Sequence, residues 1–191
     1  MILALVLAIA TPSFDCRKAA NEVERMICAD PQLARFDRFM ASAFRSIKRD
    51  RYELSDQREF LVRRNSCATR QCVREAYETI LPSLLTSHTP GAVTLTSRGN
   101  SGTLVLLDVG AEQFVFSVSG MWRTYGGSWN LAEGTGVVHL VNGKGSVTDG
   151  DQGCGVDLQR LAPRRWLVTR TPTDESIGCD GHNATITGSY R

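Results

Sequence analysis

Hydrophobic positions along this chain change their period near residue 87. In the first part they recur every three or four residues, the spacing of one helical face. Leu33, Phe36, Met40, Ala43, Phe44 and Ile47 form one such stripe, widened by Phe39. Asp30-Pro31 precedes it, with Asp as the N-cap oxygen and Pro at the first helical position, where a missing N–H costs nothing. A further helix is predicted from Ser55 through Phe60, Leu61 and Arg64. The next starts at Thr69 and buries Val73, Ala76, Tyr77, Ile80 and Leu84, with Pro82 expected to kink or fray its last turn. Ahead of these, Arg17 to Ile27 reads as a short helix or turn.

Beyond His88-Thr89-Pro90-Gly91, the pattern becomes short β-rich runs separated by turn residues. The runs are Val93–Thr96, Gly102–Val109, Gln113–Ser119, Trp129–Glu133, Gly136–Val141, Cys154–Leu161, Arg165–Thr171 and Ala184–Tyr190. Val156, Leu158, Trp166, Leu167 and Val168 read as half-buried neighbours. Asn142-Gly143 is a two-residue hairpin signal. The whole predicts an α+β chain with a small helical N-terminal domain. An antiparallel β-barrel or sandwich of about eight strands follows. The expected boundaries are residues 1–10, 11–86, 87–91 and 92–191: a signal-type apolar segment, the helical domain, a linker and the barrel-like domain.

The first ten residues, Met1 to Ala10, are too few to span a bilayer, which takes about 20 apolar residues. They fit the apolar part of a secretory signal, and Ala8-Ile9-Ala10 fits its small-x-small cleavage rule. The alternative is a buried first strand. Ser13-Phe14-Asp15 lacks the small apolar residues of a lipoprotein cleavage site, so no stable membrane anchor is expected after removal of the signal. Residues 11–88 carry 14 Lys/Arg against 11 Asp/Glu, and residues 89–191 carry 8 against 9. Such imbalances are too small for an electrostatic argument about nucleic acid or membrane, and no nucleic-acid partner is expected.

Six cysteines, at 16, 28, 67, 72, 154 and 179, follow the apolar start. An even number there points to an oxidising compartment, periplasmic or secreted, in which thiols pair. Four lie in the helical part and two in the β part, so each domain is expected to be stapled separately. Cys154 and Cys179 would clip a loop near the end of the barrel. Four cysteines leave three possible connectivities in the first domain.

The spaced residues of the first part resemble a known family. Phe14-Asp15-Cys16, Lys18-Ala19, Glu24, Ile27-Cys28, Asp30-Pro31, Leu33 and Asp37 are similar to the opening of the LprI-type lysozyme-inhibitor N-terminal domain. The resemblance continues through Gln57-Arg58, Leu61, Arg64, Cys67, Cys72, Ala76-Tyr77 and Ile80, covering roughly residues 13–85. Phe60 stands where the family usually has Trp, and Thr79 where it usually has Arg. The resemblance implies a helical, disulfide-bearing, exported domain with pairs Cys16–Cys28 and Cys67–Cys72. It also implies a lysozyme or other cell-wall hydrolase as partner, blocked by occlusion of its cleft. The loops around the two disulfides, with Arg or Lys tips, are then the candidate contacts. Residues 90–191 resemble small exported β-barrel domains at the level of architecture only.

Candidate chemistry is sparse. Cys179, Asp180 and His182 are close enough in sequence to suggest a thiol nucleophile, but pairing of Cys179 is the expected outcome. His88, His139 and His182 lack metal-ligand spacing, and Asp149–Gly153 lacks the acidic alternation and terminal Glu of a calcium loop. Gly99-Asn100-Ser101, Gly134-Thr135-Gly136 and Gly143-Lys144-Gly145 read as turns, not as nucleophile or phosphate loops. Asn183-Ala184-Thr185 is a glycosylation sequon on a predicted closing strand. Arg35, Arg38, Arg45, Arg49 and Arg51 read as a solvated helix face. No catalytic residue, metal or cofactor is expected. The candidate binding residues are Trp122, Tyr125 and Trp129, which would line a barrel mouth or anchor a protein contact. The alternative places Trp129 and one neighbour in the core. The expected activity is therefore binding, with a lysozyme-type enzyme or with a small molecule or envelope component as the target.

Overall fold

A computed structural model describes residues 11–46, 51–97, 101–148, 154–171, 179–180 and 183–191. The signal-type segment, Asp149–Gly153, Gly99-Asn100 and His182 lie outside the described residues. The chain divides into two compact units, Met1–Tyr77 and Glu78–Arg191.

In the first unit a 3₁₀ turn, Cys16–Lys18, leads to α1 (Glu22–Ala29) and α2 (Pro31–Ser46). Asn21 caps α1 by accepting from Glu24 N at 2.8 Å, with Glu22 and Glu24 favoured by the helix dipole in its first turn. Asp30 Oδ1 caps α2, accepting from Gln32 N and Leu33 N at 2.9 and 3.2 Å. The next helix, α3 (Arg51–Asn65), begins four residues before the predicted Ser55. Its first residues, Arg51-Tyr52-Glu53-Leu54, include good helix formers that let the helix propagate upstream of the serine.

Thr69 Oγ1 accepts from Cys72 N at 3.2 Å and opens α4 (Arg70–Leu84). This helix passes through Pro82, and Leu85 N then donates to the Pro82 carbonyl. A proline in a last turn removes one helical bond without breaking those before it.

The core of the first unit is Val23, Ile27, Leu33, Phe36, Met40, Ala43, Phe60, Val73 and Tyr77. Phe36 and Phe60 pack on Tyr77 with ring centroids 6.0 and 5.3 Å away. Phe44 is only half-buried, and the predicted stripe position Ile47 is not described. On the charged face Arg38 and Arg45 are exposed and Arg35 is half-buried, while Arg49 lies outside the described residues. Along α4, Leu81 is fully buried whereas the predicted Ile80 and Leu84 are half-buried. Cys16 pairs with Cys28 and Cys67 with Cys72. Each bond contributes about 2–4 kcal/mol by restricting the unfolded chain, which matters for so small a core.

Among the described residues of the second unit, eight strands form two four-stranded antiparallel sheets. The first holds β1 (Val93–Thr96), β2 (Thr103–Gly110), β3 (Gln113–Arg123) and β4 (Trp129–His139) in that order. The second holds β5 (Lys144–Thr148), β6 (Gly155–Ala162), β7 (Arg165–Thr171) and β8 (Gly188–Tyr190). The sheets do not close into a barrel. β4 passes to β5 through a tight turn, and among the described residues the opposite edges meet where Thr96 and Arg191 exchange backbone hydrogen bonds beside the Ser97–Tyr190 bridge. The sandwich is the form adopted.

Two predicted runs, Trp129–Glu133 and Gly136–Val141, are one strand. The glycines that suggested a break are there for packing. A Cβ on Gly134 would come within 2.6 Å of Val156 Cγ2, and one on Gly136 within 2.8 Å of Val147 Cγ1. β5 was not predicted, because Lys144-Gly145-Ser146 lacks β-formers. The Asn142-Gly143 hairpin forms, with φ of 53° and 77°, the double positive pair of a type I′ turn. The predicted strand over Ala184–Tyr190 shortens to Gly188–Tyr190.

Leu104, Leu106, Phe114, Phe116, Val118, Val156, Leu158, Trp166, Val168 and Tyr190 fill the space between the sheets. Trp166 meets Phe114 edge-on at 5.2 Å. Leu167, expected among these half-buried neighbours, is instead turned to the outer face by the two-residue period of β7. Cys154 pairs with Cys179.

Candidate functional site

The β2–β3 ladder ends at the Thr103–Ser119 pair, whereas β3 and β4 continue together for four more rungs. These rungs are Gly120–Ala132, Met121–Leu131, Trp122–Asn130 and Arg123–Trp129. At about 3.3 Å per residue, they make a two-stranded arm about 13 Å long before the turn. Gly120 marks its base: the chain at Thr185 passes so close that a Cβ would lie 2.0 Å from the Thr185 carbonyl oxygen. The turn is tied by Thr124 N donating to Ser128 O at 2.9 Å, Gly127 N to Thr124 O at 3.0 Å, and the two hydroxyls at 2.7 Å. Gly127 supplies the positive φ of 82°.

Side chains that a core would normally hide are displayed on this arm. Trp122, Trp129, Met121 and Leu131 are 49%, 56%, 44% and 51% exposed, and Tyr125 at the turn is fully exposed. None of the three predicted aromatics is in the core, and without a barrel there is no mouth for them to line. Strand alternation puts Met121, Leu131, Arg123 and Trp129 on one face and Trp122 and Asn130 on the other. The Arg123 guanidinium lies over the Trp129 ring, 5.8 Å from its centroid. Arg123 is also the single charged residue between Gly120 and Ala132.

The three aromatics are candidates from the sequence, whereas Met121, Arg123 and Leu131 join them only in the fold. Their placement at mirrored distances from the Thr124–Ser128 turn was the available signal.

Two ionic clusters were also missed, and both are structural. Asp37, Arg64 and Tyr77, all among the resemblance-bearing residues, converge in the first unit. Asp37 Oδ2 accepts from Ser13 N and Ser13 Oγ at 2.7 and 2.6 Å. Its Oδ1 accepts from Tyr77 OH at 2.9 Å and from Arg64 Nη1 at 3.3 Å. Burial, and next the Asp37 charge, push the Tyr77 phenol far above its ordinary value.

In the second unit Arg170 donates from Nε and Nη2 to Asp180 Oδ1 at 2.9 and 2.6 Å, and also donates to the carbonyls of Glu133 and Gly155. It thus joins β4, β6 and the disulfide-bearing segment. Asp180 serves this guanidinium, and Cys179 is bonded to Cys154, so the predicted Cys179–Asp180–His182 grouping supplies no free thiol.

His88 and His139 are exposed, and among the described residues no cluster of His, Cys, Asp or Glu is placed to hold a metal ion. Beside the Cys16–Cys28 bond, Arg17 and Lys18 are exposed. The side chain and then the backbone N–H of Arg17 hold the Asp15 carboxyl below the usual carboxylate range. A shallow concavity of about 260 Å³ on the second sheet is lined by Lys144, Ser146, Asp157, Gln159, Leu167 and Thr169. No helix among the described residues is long and apolar enough to cross a membrane. Set beside known family models, curated proteins and solved structures, the chain matches none of them.

Proposed function

We propose that this chain is an exported, non-enzymatic binding protein. The observation that carries the reading is the β3–β4 arm, where five large apolar side chains stand at the solvent on a hydrogen-bonded element. A monomer rarely exposes such a set unless it makes contacts there. Three disulfides support an oxidising compartment. Side chains fill the space between the sheets, which favours surface contact over an enclosed ligand.

For the helical unit, which carries the LprI resemblance, the partner we propose is a lysozyme or other cell-wall hydrolase. Occlusion of an acidic cleft needs rigid, cationic protrusions and no catalytic group. Arg17 and Lys18, clipped beside Cys16–Cys28, have that character. The test is a lysis assay with lysozymes of several classes. Slowed lysis at a near-stoichiometric ratio, weakened by Arg17→Ala with Lys18→Ala, is the expected result. Unchanged lysis at a large molar excess with every class would overturn the hydrolase reading.

A further inference from the structure

We propose that the β3–β4 arm docks on an anionic lipid surface, its aromatic tip seated among the headgroups. This rests on reading the arm as a contact element, and is independent of any hydrolase bound by the helical unit.

Distribution of side chains over the arm selects this occupant. Met121, Leu131 and Trp129 face one way, Trp122 the opposite way, and Tyr125 stands at the turn. A protein surface meeting one face would leave the other in water. A tip with apolar groups all round is matched by a medium that surrounds it. Trp and Tyr are the side chains whose apolar rings and polar handles favour the bilayer interface.

Backbone and charge agree. The cross-strand ladder and the Thr124–Ser128 turn bonds pair the inward-pointing backbone groups of the arm, and the outward-pointing ones keep headgroup and water partners at interfacial depth. An arm of about 13 Å, before its turn, suffices for the penetration of about 5–10 Å typical of interfacial segments. Between Gly120 and Ala132 there is no carboxylate to repel an anionic headgroup, and Arg123 supplies a cation beside the Trp129 ring. The overall charge of the chain, +2, gives no hint of this, because the signal is local and mainly aromatic.

The intrinsic fluorescence isolates the arm. Of the three tryptophans, Trp166 is buried at 2% exposure, so Trp122 and Trp129 report any change of environment at the surface. The full chain is mixed with vesicles of equimolar phosphatidylcholine and phosphatidylglycerol, and emission and co-sedimentation are read. Expected are a blue shift and sedimentation with the vesicles. Trp122→Ala combined with Trp129→Ala should weaken partitioning by about tenfold or more. Arg123→Glu should weaken it on the mixed vesicles and leave the residual binding to phosphatidylcholine alone unchanged. Emission of the buried type from the remaining Trp166, shifted to the red by urea, verifies the fold of the double variant.

No sedimentation of the wild type, or equal sedimentation of wild type and double variant, would overturn the proposal. So would lysozyme shielding the arm tryptophans from acrylamide while vesicles do not, which would assign the arm to a protein partner.

Discussion

Replacing Asp37 by alanine should unfold the helical unit far more readily than its single carboxylate suggests. The Asp37 side chain is 2% exposed and its partner Arg64 is 8% exposed, so water cannot replace what is lost. Asp37 accepts four hydrogen bonds, two from Ser13 and one each from Tyr77 and Arg64. Its removal leaves a buried guanidinium whose other neighbours among the described residues are uncharged: Asn65 Oδ1, the Tyr77 hydroxyl and the Phe60 ring. Breaking one partner of a buried ion pair costs about 3–5 kcal/mol, a large share of the roughly 5–15 kcal/mol that stabilises a domain.

Arg64→Met, which fills the space without a charge, should restore part of the loss when combined with Asp37→Ala. The coupling in the double-mutant cycle is expected near 2 kcal/mol. Far-UV circular dichroism in urea reads the helices. All three tryptophans lie in the second unit, so their fluorescence follows that unit separately from the helices. A loss below about 1 kcal/mol for Asp37→Ala, or no coupling in the cycle, would refute the account of a charge held by this network.

The Tyr77 phenol has a folded pKa above its unfolded value of about 10, so the folded state keeps a proton that the unfolded state releases. Its contribution is intact below about pH 10 and is lost above it at up to about 1.4 kcal/mol per pH unit; Tyr77→Phe should flatten that alkaline slope, read by urea midpoints from pH 9 to 11. Asp180→Ala should destabilise the sandwich by about 3 kcal/mol, measured by Trp166 fluorescence, since Arg170 is buried and loses its carboxylate. Gly120→Ala should cost about 2 kcal/mol or more, because the added Cβ meets backbone at Thr185 that cannot swing away. Gly127→Ala, with nothing within 4 Å but a φ of +82°, should cost only about 1 kcal/mol, both glycine variants being read by thermal melts of the protein.

Much of the local structure was legible because it is written in neighbours. Asp30-Pro31 and Thr69 open helices where capping chemistry puts them, and Asn142-Gly143 turns the chain where two positive φ values are needed. β5 was illegible, since Lys144-Gly145-Ser146 is a strand only because β6 pairs with it. Gly145 is held there by crowding, its Cβ position lying 2.5 Å from the His139 carbonyl oxygen. β4 was read as two strands for a related reason. Its glycines serve the opposite sheet, which a one-dimensional pattern does not contain.

The exposed aromatics were visible as a Trp- and Tyr-bearing stretch around Gly126-Gly127. What made them an arm was the early end of β2 at Thr103, a fact about a neighbouring strand. Local rules thus determined the class of each segment, because period, caps and turn residues act within a few positions. Tertiary structure alone decided sandwich over barrel, buried Arg64 and Arg170 over solvated ones, and exposed Trp122 and Trp129 over core ones. Those outcomes depend on which distant groups a side chain meets, since burial of a charge or display of an indole is settled by partners far away along the chain.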